Sequence, residues 1–306
     1  TFAFYMGMNY TKQPLDYADI ISMLKSRGLV ISDENNALEC LKRVSYFRLA
    51  NYFHPMEKDK VNHIFKPNSK FDNAIDLYNF DRYLRLLLFS AVQSLEIGLR
   101  TKMIHHISLR YGAFWFTDAS HFQNQDIFQN CLKQVMQELS RTKEDFIVDH
   151  FAKYDTPDVP PVWKTLEVTS FGTLSKLFCN LSDNALKKAI AREFCLPQHK
   201  IFESWIKSAV ALRNCLAHHS RVWNRVYPIK PQIPTKLKGK WISIAVPQAN
   251  KLYPQLCYLQ YIQNIMCPGN DFGSQLKILL KQHPNIDVAA MGFPANWQNE
   301  PLWKQL

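Results

Sequence analysis

The chain has 306 residues, of which 47% are hydrophobic and only 9 are glycine. This composition is typical of a packed globular protein and excludes the disordered and collagen-like classes. Lysine and arginine outnumber the acids by 37 to 26, giving a formal charge of +11 that favours polyanions such as nucleic acid as partners. A generally basic surface without such a partner is the alternative.

Helical periodicity dominates the first three quarters of the chain. DYADIISMLKSRGLV, which ends near Gly28, and ENNALECLKRVSYFRLANYF, which stops before Pro55, together predict a helical hairpin. HPMEKDKVNHIFKPNSK is predicted to be a polar loop, and the segment from Phe71 to Gly112 a long helix or a broken pair. Further helices are predicted over residues 123–152 and 161–225.

The C-terminal part differs, because nine of the 16 prolines lie after Arg225. IKPQIPTKLKGKWISIAVP cannot be one helix, so a loop or short strand is predicted there, followed by helices near 250–266 and 272–282. The predicted fold is mainly α. It has a helical N-terminal region (1–70), a helical core (71–225) and a proline-rich, partly irregular extension (226–306) packed on that core in one compact unit.

The cysteines and apolar segments indicate the compartment. Seven scattered cysteines without a C-x-x-C pair predict a reduced, cytoplasmic protein. TFAFYMGMNY lacks the basic region of a signal peptide, and the longest apolar stretch, around LLLFSAV, is too short to cross a bilayer. We therefore expect neither secretion nor membrane insertion.

Several common catalytic patterns are absent from the sequence. It contains no G-x-x-x-x-G-K-[ST] or G-x-G-x-x-G phosphate loop, and neither H-E-x-x-H nor G-x-S-x-G. Its carboxylates are too scattered to suggest a two-metal centre. Chemistry based on arginine and histidine remains, with no metal and no cofactor expected.

An arginine followed after four to six residues by a histidine is the ribonuclease signature of HEPN domains. About one such match is expected by chance in a chain of this composition, so the pattern alone is weak. The arginines that satisfy it are Arg48 (with His54), Arg100 (with His105 or His106), Arg192 (with His199) and Arg213 (with His218 or His219). Sequence context must choose among them.

The segment from residue 205 to 225 has two faces if it is drawn as one helix. One face is a predicted core stripe of Trp205, Ala209, Leu212, Leu216 and Trp223. The opposite face is a polar strip of Asn214, His218, Arg221 and Arg225. Arg213 lies between the faces, and His219, near the core stripe, is predicted to be a packed structural histidine. A solvated basic face is the alternative interpretation of the strip.

These residue types suit RNA cleavage. RNA carries its own nucleophile, the 2′-OH, so cleavage needs a group that transfers protons near neutral pH and a cation that stabilises the phosphorane. Histidine titrates in this range, and arginine presents a fixed set of donors to phosphate oxygens.

The segment RNCLAHHSRVWNR closely resembles the HEPN motif of the Abi-like family, the abortive-infection proteins of the AbiD and AbiF type. Other segments resemble the same family in the same order along nearly the whole chain. They are LKSRGLVISDENNALECLKRVSYFRLANYFHPM, LYNFDRYLRLLLFSAVQSLEIGLRTKM, RYGAFWF, LEVTSFGTLSKLF and MGFPANW.

The resemblance implies a helical HEPN-type bundle that acts as an RNase toxin in phage defence. It implies His218 as the general acid or base, Arg213 as the phosphate-binding cation and Asn214 as the residue that orients them. Arg221, Arg225 and Arg100 are the predicted RNA contacts. The chain departs from the family at Gln93, where glutamate is frequent, so any support from a carboxylate there is absent.

Two functional classes remain open: a metal-independent endoribonuclease, and a catalytically silent module that sequesters RNA or a partner. Arg100 with His105 or His106 is either a second, degenerate HEPN pair or, as we prefer, part of an i, i+4 pair with Glu96. Since HEPN ribonucleases build one cleft from two motifs, we expect a homodimer. A small antitoxin RNA or guide-like RNA is a further candidate partner.

Overall fold

The computed structural model describes Asn9 and residues 11–304, so the TFAFYMGMNY segment lies almost wholly outside the described residues. The described part is mainly α-helical, as predicted. Its elements are α1 (Tyr17–Ser26), α2 (Glu34–Arg43), α3 (Tyr46–Phe53), β1 (Glu57–Asp59), β2 (Ile64–Phe65), α4 (Phe71–Tyr111), α5 (Gln125–Arg141), α6 (Asp145–Lys153), α7 (Val162–Val168), α8 (Phe171–Asn180), α9 (Asn184–Glu193), α10 (His199–Ala217), α11 (Leu252–Met266) and α12 (Phe272–Gln282). None of these helices has the length and apolar character needed to cross a membrane.

The chain divides into two compact units, the first ending at Arg82 and the second beginning at Tyr83. The division falls inside α4, which is one continuous helix. Of the two predicted forms, a long helix or a broken pair, the long helix is confirmed. Within α4 the buried residues recur every three or four positions, for example Leu88, Leu95 and Leu99. This spacing places one stripe of the helix in the core.

The first unit begins with the predicted hairpin of α1 and α2, which contact each other. Gly28 follows α1 with a φ of +91°, a conformation that glycine adopts without strain. The predicted single helix that stops before Pro55 is wrong, because the chain is extended at Val44 and Ser45 then caps α3 by accepting from the Arg48 N–H. A serine at this position starts a new helix.

A short antiparallel β-hairpin occupies the predicted polar loop, so that prediction is corrected. β1 pairs with β2, and Glu57 lies opposite Phe65. Asp59 Oδ1 accepts from the backbone N–H groups of Val61 at 2.8 Å and Asn62 at 3.2 Å. The turn is therefore held by a side chain that folds back on its own backbone.

The C-terminal extension packs on α10 in the second unit. Trp205 of α10 stacks on Trp241 and Tyr258, with ring centroids 5.8 and 5.4 Å away. Its indole Nε1–H donates to the Gln232 carbonyl at 2.7 Å. Residues 220–251 contain neither helix nor strand, as predicted for this proline-rich segment.

The last part of the extension packs on its first part. Gly292 has a φ of +85°, and a Cβ added there would lie 2.7 Å from Lys251 Cβ. Only glycine combines this conformation with so close an approach. The buried carboxylate of Glu300 accepts from the backbone N–H groups of Ser243 and Ile244. Gly292 of the MGFPANW segment and the later residue Glu300 thus hold the last part of the extension against residues 243–251.

A buried ion pair connects α9 to α10. Lys187 is fully buried, and its Nζ lies 3.0 Å from Glu203 Oε1 and 3.4 Å from the Cys179 carbonyl. Lys200 approaches the other carboxylate oxygen of Glu203 at 3.3 Å. Removing one member of a buried pair leaves the other charge without its partner, so this pair constrains how α10 packs.

We expect Lys187→Met to lower the stability of the second unit by about 3 kcal/mol, because Glu203 would lose its buried partner. The exposed neighbour Lys188 provides the matched control, Lys188→Met, with an expected change of about 0.5 kcal/mol or less. All 7 tryptophans follow Arg82, so tryptophan fluorescence during urea unfolding reports this unit. Equal midpoints for the two variants would show that the pair contributes little.

Candidate functional site

Helix α10 carries the first part of the predicted motif. Trp205, Ala209, Leu212 and Leu216 are buried, so the predicted core stripe is confirmed within the helix. Trp223 is buried as well, although it lies beyond the helix. Asn214 and His218 are exposed, and Arg213 is half-buried.

The prediction that the helix runs to residue 225 is wrong. α10 ends at Ala217, and His219 has a φ of +52°. The N–H of His219 donates to the Leu216 carbonyl and the N–H of Ser220 to the Cys215 carbonyl, both at 2.9 Å. These two bonds form a Schellman motif with a histidine in the left-handed position that glycine usually occupies.

Two further predictions are wrong because the helix ends at Ala217. His219 is exposed and lies at the turn rather than in the core, because the helical geometry that placed it there stops before it. Arg221 and Arg225 lie in the irregular segment after the turn, so the polar strip is not one helical face. Asn214 and His218 remain neighbours, since His218 caps the helix four positions on.

The segment after the turn is anchored to the C-terminal extension. Trp223 Nε1–H donates to the Asp287 carbonyl at 3.3 Å, and Lys251 Nζ donates to Asn224 Oδ1 at 2.7 Å. The Arg225 Nη1 donates to the Arg221 carbonyl at 3.4 Å. Trp223 and Asn224, in the last part of the RNCLAHHSRVWNR segment, therefore have structural contacts.

A cavity of about 360 Å³ adjoins Arg213 and Asn214. Its walls are α5, the N-terminal cap and first two turns of α8, and these two residues of α10. Cationic side chains among its lining residues are Arg141, Lys176 and Arg213, and the carboxylate is that of Glu138. His218 is not among the lining residues of this cavity within the part of the chain that the structure describes. The surplus of cations favours an anion.

The N-terminus of α8 lies at this cavity. Ser170 caps the helix by accepting from the Thr173 N–H at 3.3 Å, and Thr173 Oγ1 donates to Gln134 Oε1 at 3.0 Å. The Ser170 N–H donates to Glu138 Oε2 at 3.2 Å. Backbone N–H groups at a helix start attract anions, and here a carboxylate of the protein takes one of them.

Arg100 fixes the chain just before α8. Its Nη2 donates to Glu96 Oε1 and to the Thr169 carbonyl, each at 3.1 Å, while Nη1 lies 3.7 Å from Glu167 Oε2. The side chain is only 13% exposed. The expected Glu96–Arg100 pair is confirmed, and the guanidinium positions the end of α7. The contact of Arg100 with RNA stays a prediction.

Of the alternative histidines after Arg100, His106 has another partner. His106 Nε2 lies 3.5 Å from Glu193 Oε1, whereas Arg100 turns to the end of α7. Gln93, the position at which the resemblance led us to expect glutamate, is exposed. Burial lowers the pKa of His199, which favours a neutral imidazole there.

The sequence did not identify the contribution of α5 and α8 to this site. The S-F-G segment carried a signal, because Ser170 three residues before Thr173 fits a helix cap. Nothing in the periodicity of α5 pointed to Gln134, Glu138 or Arg141, since a polar helix face is usually only solvated.

The family model described as Abi-like protein matches residues 39–224. The chain belongs to this family, as its segments predicted, and membership suggests a role in abortive infection. No curated protein and no solved structure matches the chain.

The left-handed histidine at the end of α10 gives a stability prediction. His219→Ala and His219→Gly both remove the imidazole with its contacts and differ only in the Cβ atom. We expect the glycine variant to be more stable than the alanine variant by about 1 kcal/mol, because a Cβ disfavours a positive φ. Urea unfolding followed by tryptophan fluorescence measures the difference. An alanine variant at least as stable as the glycine variant would contradict the assigned turn.

Proposed function

We propose that this Abi-like protein is a metal-independent HEPN endoribonuclease toxin of a bacterial anti-phage abortive-infection system. The observation that carries the proposal is the cavity beside Arg213 and Asn214, which Ser170, Gly172 and Thr173 at the start of α8 also line. Backbone N–H groups and guanidinium groups together suit an RNA phosphate.

Each motif residue has a proposed role in this chemistry. Arg213 binds the scissile phosphate and stabilises the negative charge of the phosphorane. Asn214 orients the phosphate or His218 by hydrogen bonding. His218, exposed at the helix end, transfers a proton to or from the 2′-OH or the leaving 5′-oxygen.

The neighbouring groups extend the site toward the RNA backbone. Arg141 and Lys176 line the same cavity and would contact adjacent phosphates. Glu138 holds the Ser170 N–H at 3.2 Å, so a phosphate oxygen that takes this N–H must displace the carboxylate. Arg221 and Arg225, in the segment after the turn, stay proposed RNA contacts.

The alternative function is a catalytically silent module that sequesters RNA or a partner. Its cations would be the same, so charge does not distinguish the two. An exposed histidine one helical turn from Asn214 favours the enzyme, because a module that only binds phosphate does not need a side chain that can both accept and donate a proton.

We expect Arg213→Ala and His218→Ala each to lower the rate of RNA cleavage by about 10²-fold or more, because each removes a group that acts in the transition state. The measurement is cleavage of end-labelled RNA by purified protein. The matched controls are Arg192→Ala and His105→Ala, which remove exposed side chains of the same types. Wild-type activity in His218→Ala would contradict the catalytic assignment. RNA binding without cleavage by the wild type would favour the silent module.

The products of the same reactions test the mechanism. Attack by the 2′-OH leaves 2′,3′-cyclic phosphate or 3′-phosphate ends, and a 2′-deoxy sugar at the cut should block cleavage. A requirement for Mg²⁺ with 5′-phosphate products would instead indicate metal-activated water.

A homodimer belongs to the proposal, because HEPN ribonucleases resembling this protein use two motifs and this chain has one with full family context. Two-fold pairing would bring two Arg213–His218 segments to one RNA strand and join their basic surfaces. Sequencing of RNA that co-purifies with the protein would identify a small antitoxin or guide-like RNA.

Light scattering of the purified protein, with and without RNA, should give about twice the 35.8 kDa of one chain. Like charges on the paired surfaces oppose dimerisation, so we expect RNA to shift the equilibrium toward the dimer. A particle of one chain that cleaves RNA in both conditions would show that a single motif suffices.

A further inference from the structure

His54, Glu57 and His63 form a side-chain cluster in the first unit. His54 Nδ1 lies 2.9 Å from Glu57 Oε2, and His63 Nδ1 lies 3.1 Å from Glu57 Oε1. One ligand atom from each residue lies within 4.8 Å of the other two. Each imidazole thus contacts a different oxygen of the Glu57 carboxylate.

The backbone brings the three residues together through two tight turns. His54 and Glu57 are separated by the 3-10 turn His54–Met56, which follows α3. The β-hairpin then reverses the chain and returns His63, which has a φ of +56°. Because Asp59 bonds to the turn backbone, the cluster is built on short, fixed connections.

The environment of Glu57 favours a cation. Its side chain is 4% exposed, whereas His54 and His63 are 45% and 38% exposed. Burying a carboxylate is costly unless positive charge compensates it. Neutral imidazoles supply N–H donors but no net charge, so a metal ion held by all three residues would compensate the carboxylate more fully.

We propose that His54, Glu57 and His63 bind a divalent metal ion of the Zn²⁺ type. Imidazole nitrogen and carboxylate oxygen are zinc ligands at about 2.0–2.2 Å, and a tetrahedral arrangement places such ligands about 3.3 Å apart. The two nitrogen-to-oxygen separations in the cluster, 2.9 and 3.1 Å, involve different oxygens of Glu57. The three ligand atoms lie within 4.8 Å of one another, so binding requires the two imidazole nitrogens and one Glu57 oxygen to move to about 3.3 Å from one another. A fourth coordination position stays open to water.

Binding requires a proton shift within each imidazole. In the hydrogen-bonded cluster a neutral histidine donates through Nδ1–H, whereas a metal ligand must present a bare Nδ1. The proton moves to Nε2, so a neutral histidine changes tautomer without losing its proton overall. The ion then connects the end of α3 to the β-hairpin, and we expect it to stabilise the folded first unit.

Zinc titration of the full chain tests the site. The protein is used with any purification tag removed and after dialysis against a chelator, and Zn²⁺ binding is measured by competition with a metal-sensitive dye. We expect one tight equivalent per chain. His63→Ala and Glu57→Gln should each weaken binding on the order of 100-fold, whereas His105→Ala, which removes an exposed histidine of α4, should bind like the wild type.

A second measurement separates this site from the free thiols. Co²⁺ bound to imidazole and carboxylate should give visible absorption without a near-ultraviolet thiolate band, and the visible signal should disappear in Glu57→Gln. Circular dichroism checks that the variants fold. If His63→Ala does not fold, Glu57→Gln, which keeps the side-chain shape, decides.

Two outcomes overturn the proposal. The absence of tight Zn²⁺ binding by the wild type would mean that the cluster is only a hydrogen-bonded set around Glu57. Equal binding by the wild type and Glu57→Gln would place the ion on other groups.

Discussion

The end of α10 is the constraint on which the motif region depends. His219 takes a left-handed conformation and reverses the chain after Ala217. If the helix continued, Trp223 could not reach the Asp287 carbonyl and Asn224 could not accept from Lys251. The turn therefore keeps His218 exposed at a helix end while it sends the next residues to the C-terminal extension.

The charges around the cavity are arranged by contacts at some distance from the motif. Arg100 holds the Thr169 carbonyl, and the next residue, Ser170, starts α8. Glu138 partly neutralises the surrounding cations and occupies one N–H of the helix start. An empty site with several cations close together would be destabilised by their repulsion, which a carboxylate reduces. This compensation stabilises the fold and opposes anion binding.

Periodicity predicted the parts of the fold that are long and amphipathic. α4 and the buried stripe of α10 follow from apolar residues repeated every three or four positions. The helix end at Ala217 could not be predicted from periodicity. Val222 and Trp223 are buried although they lie beyond the helix, so they continue the apolar pattern, and a left-handed histidine has no strong sequence signal. The β-hairpin was missed because strands of two and three residues are too short to show alternation.

The candidate site was predictable only in part for a related reason. Arg213 and Asn214 were found from one contiguous segment, but the cavity also needs Gln134 of α5 and Ser170 of α8. These residues are far apart in sequence, so only tertiary packing brings them together. A local sequence pattern can locate the motif helix α10, but it does not show that α5 and α8 form the other walls of the cavity.

The anchoring of the motif by the C-terminal extension has a consequence for how the family region is delimited. The family match ends at residue 224, yet Trp205, Trp223 and Asn224 bond to groups at Gln232, Asp287 and Lys251. A fragment cut at the end of the match would expose the aromatic face of α10 and release the motif segment. The recognisable region is thus smaller than the folding unit, and these later residues belong to the architecture of the motif although they lie outside the matched segment.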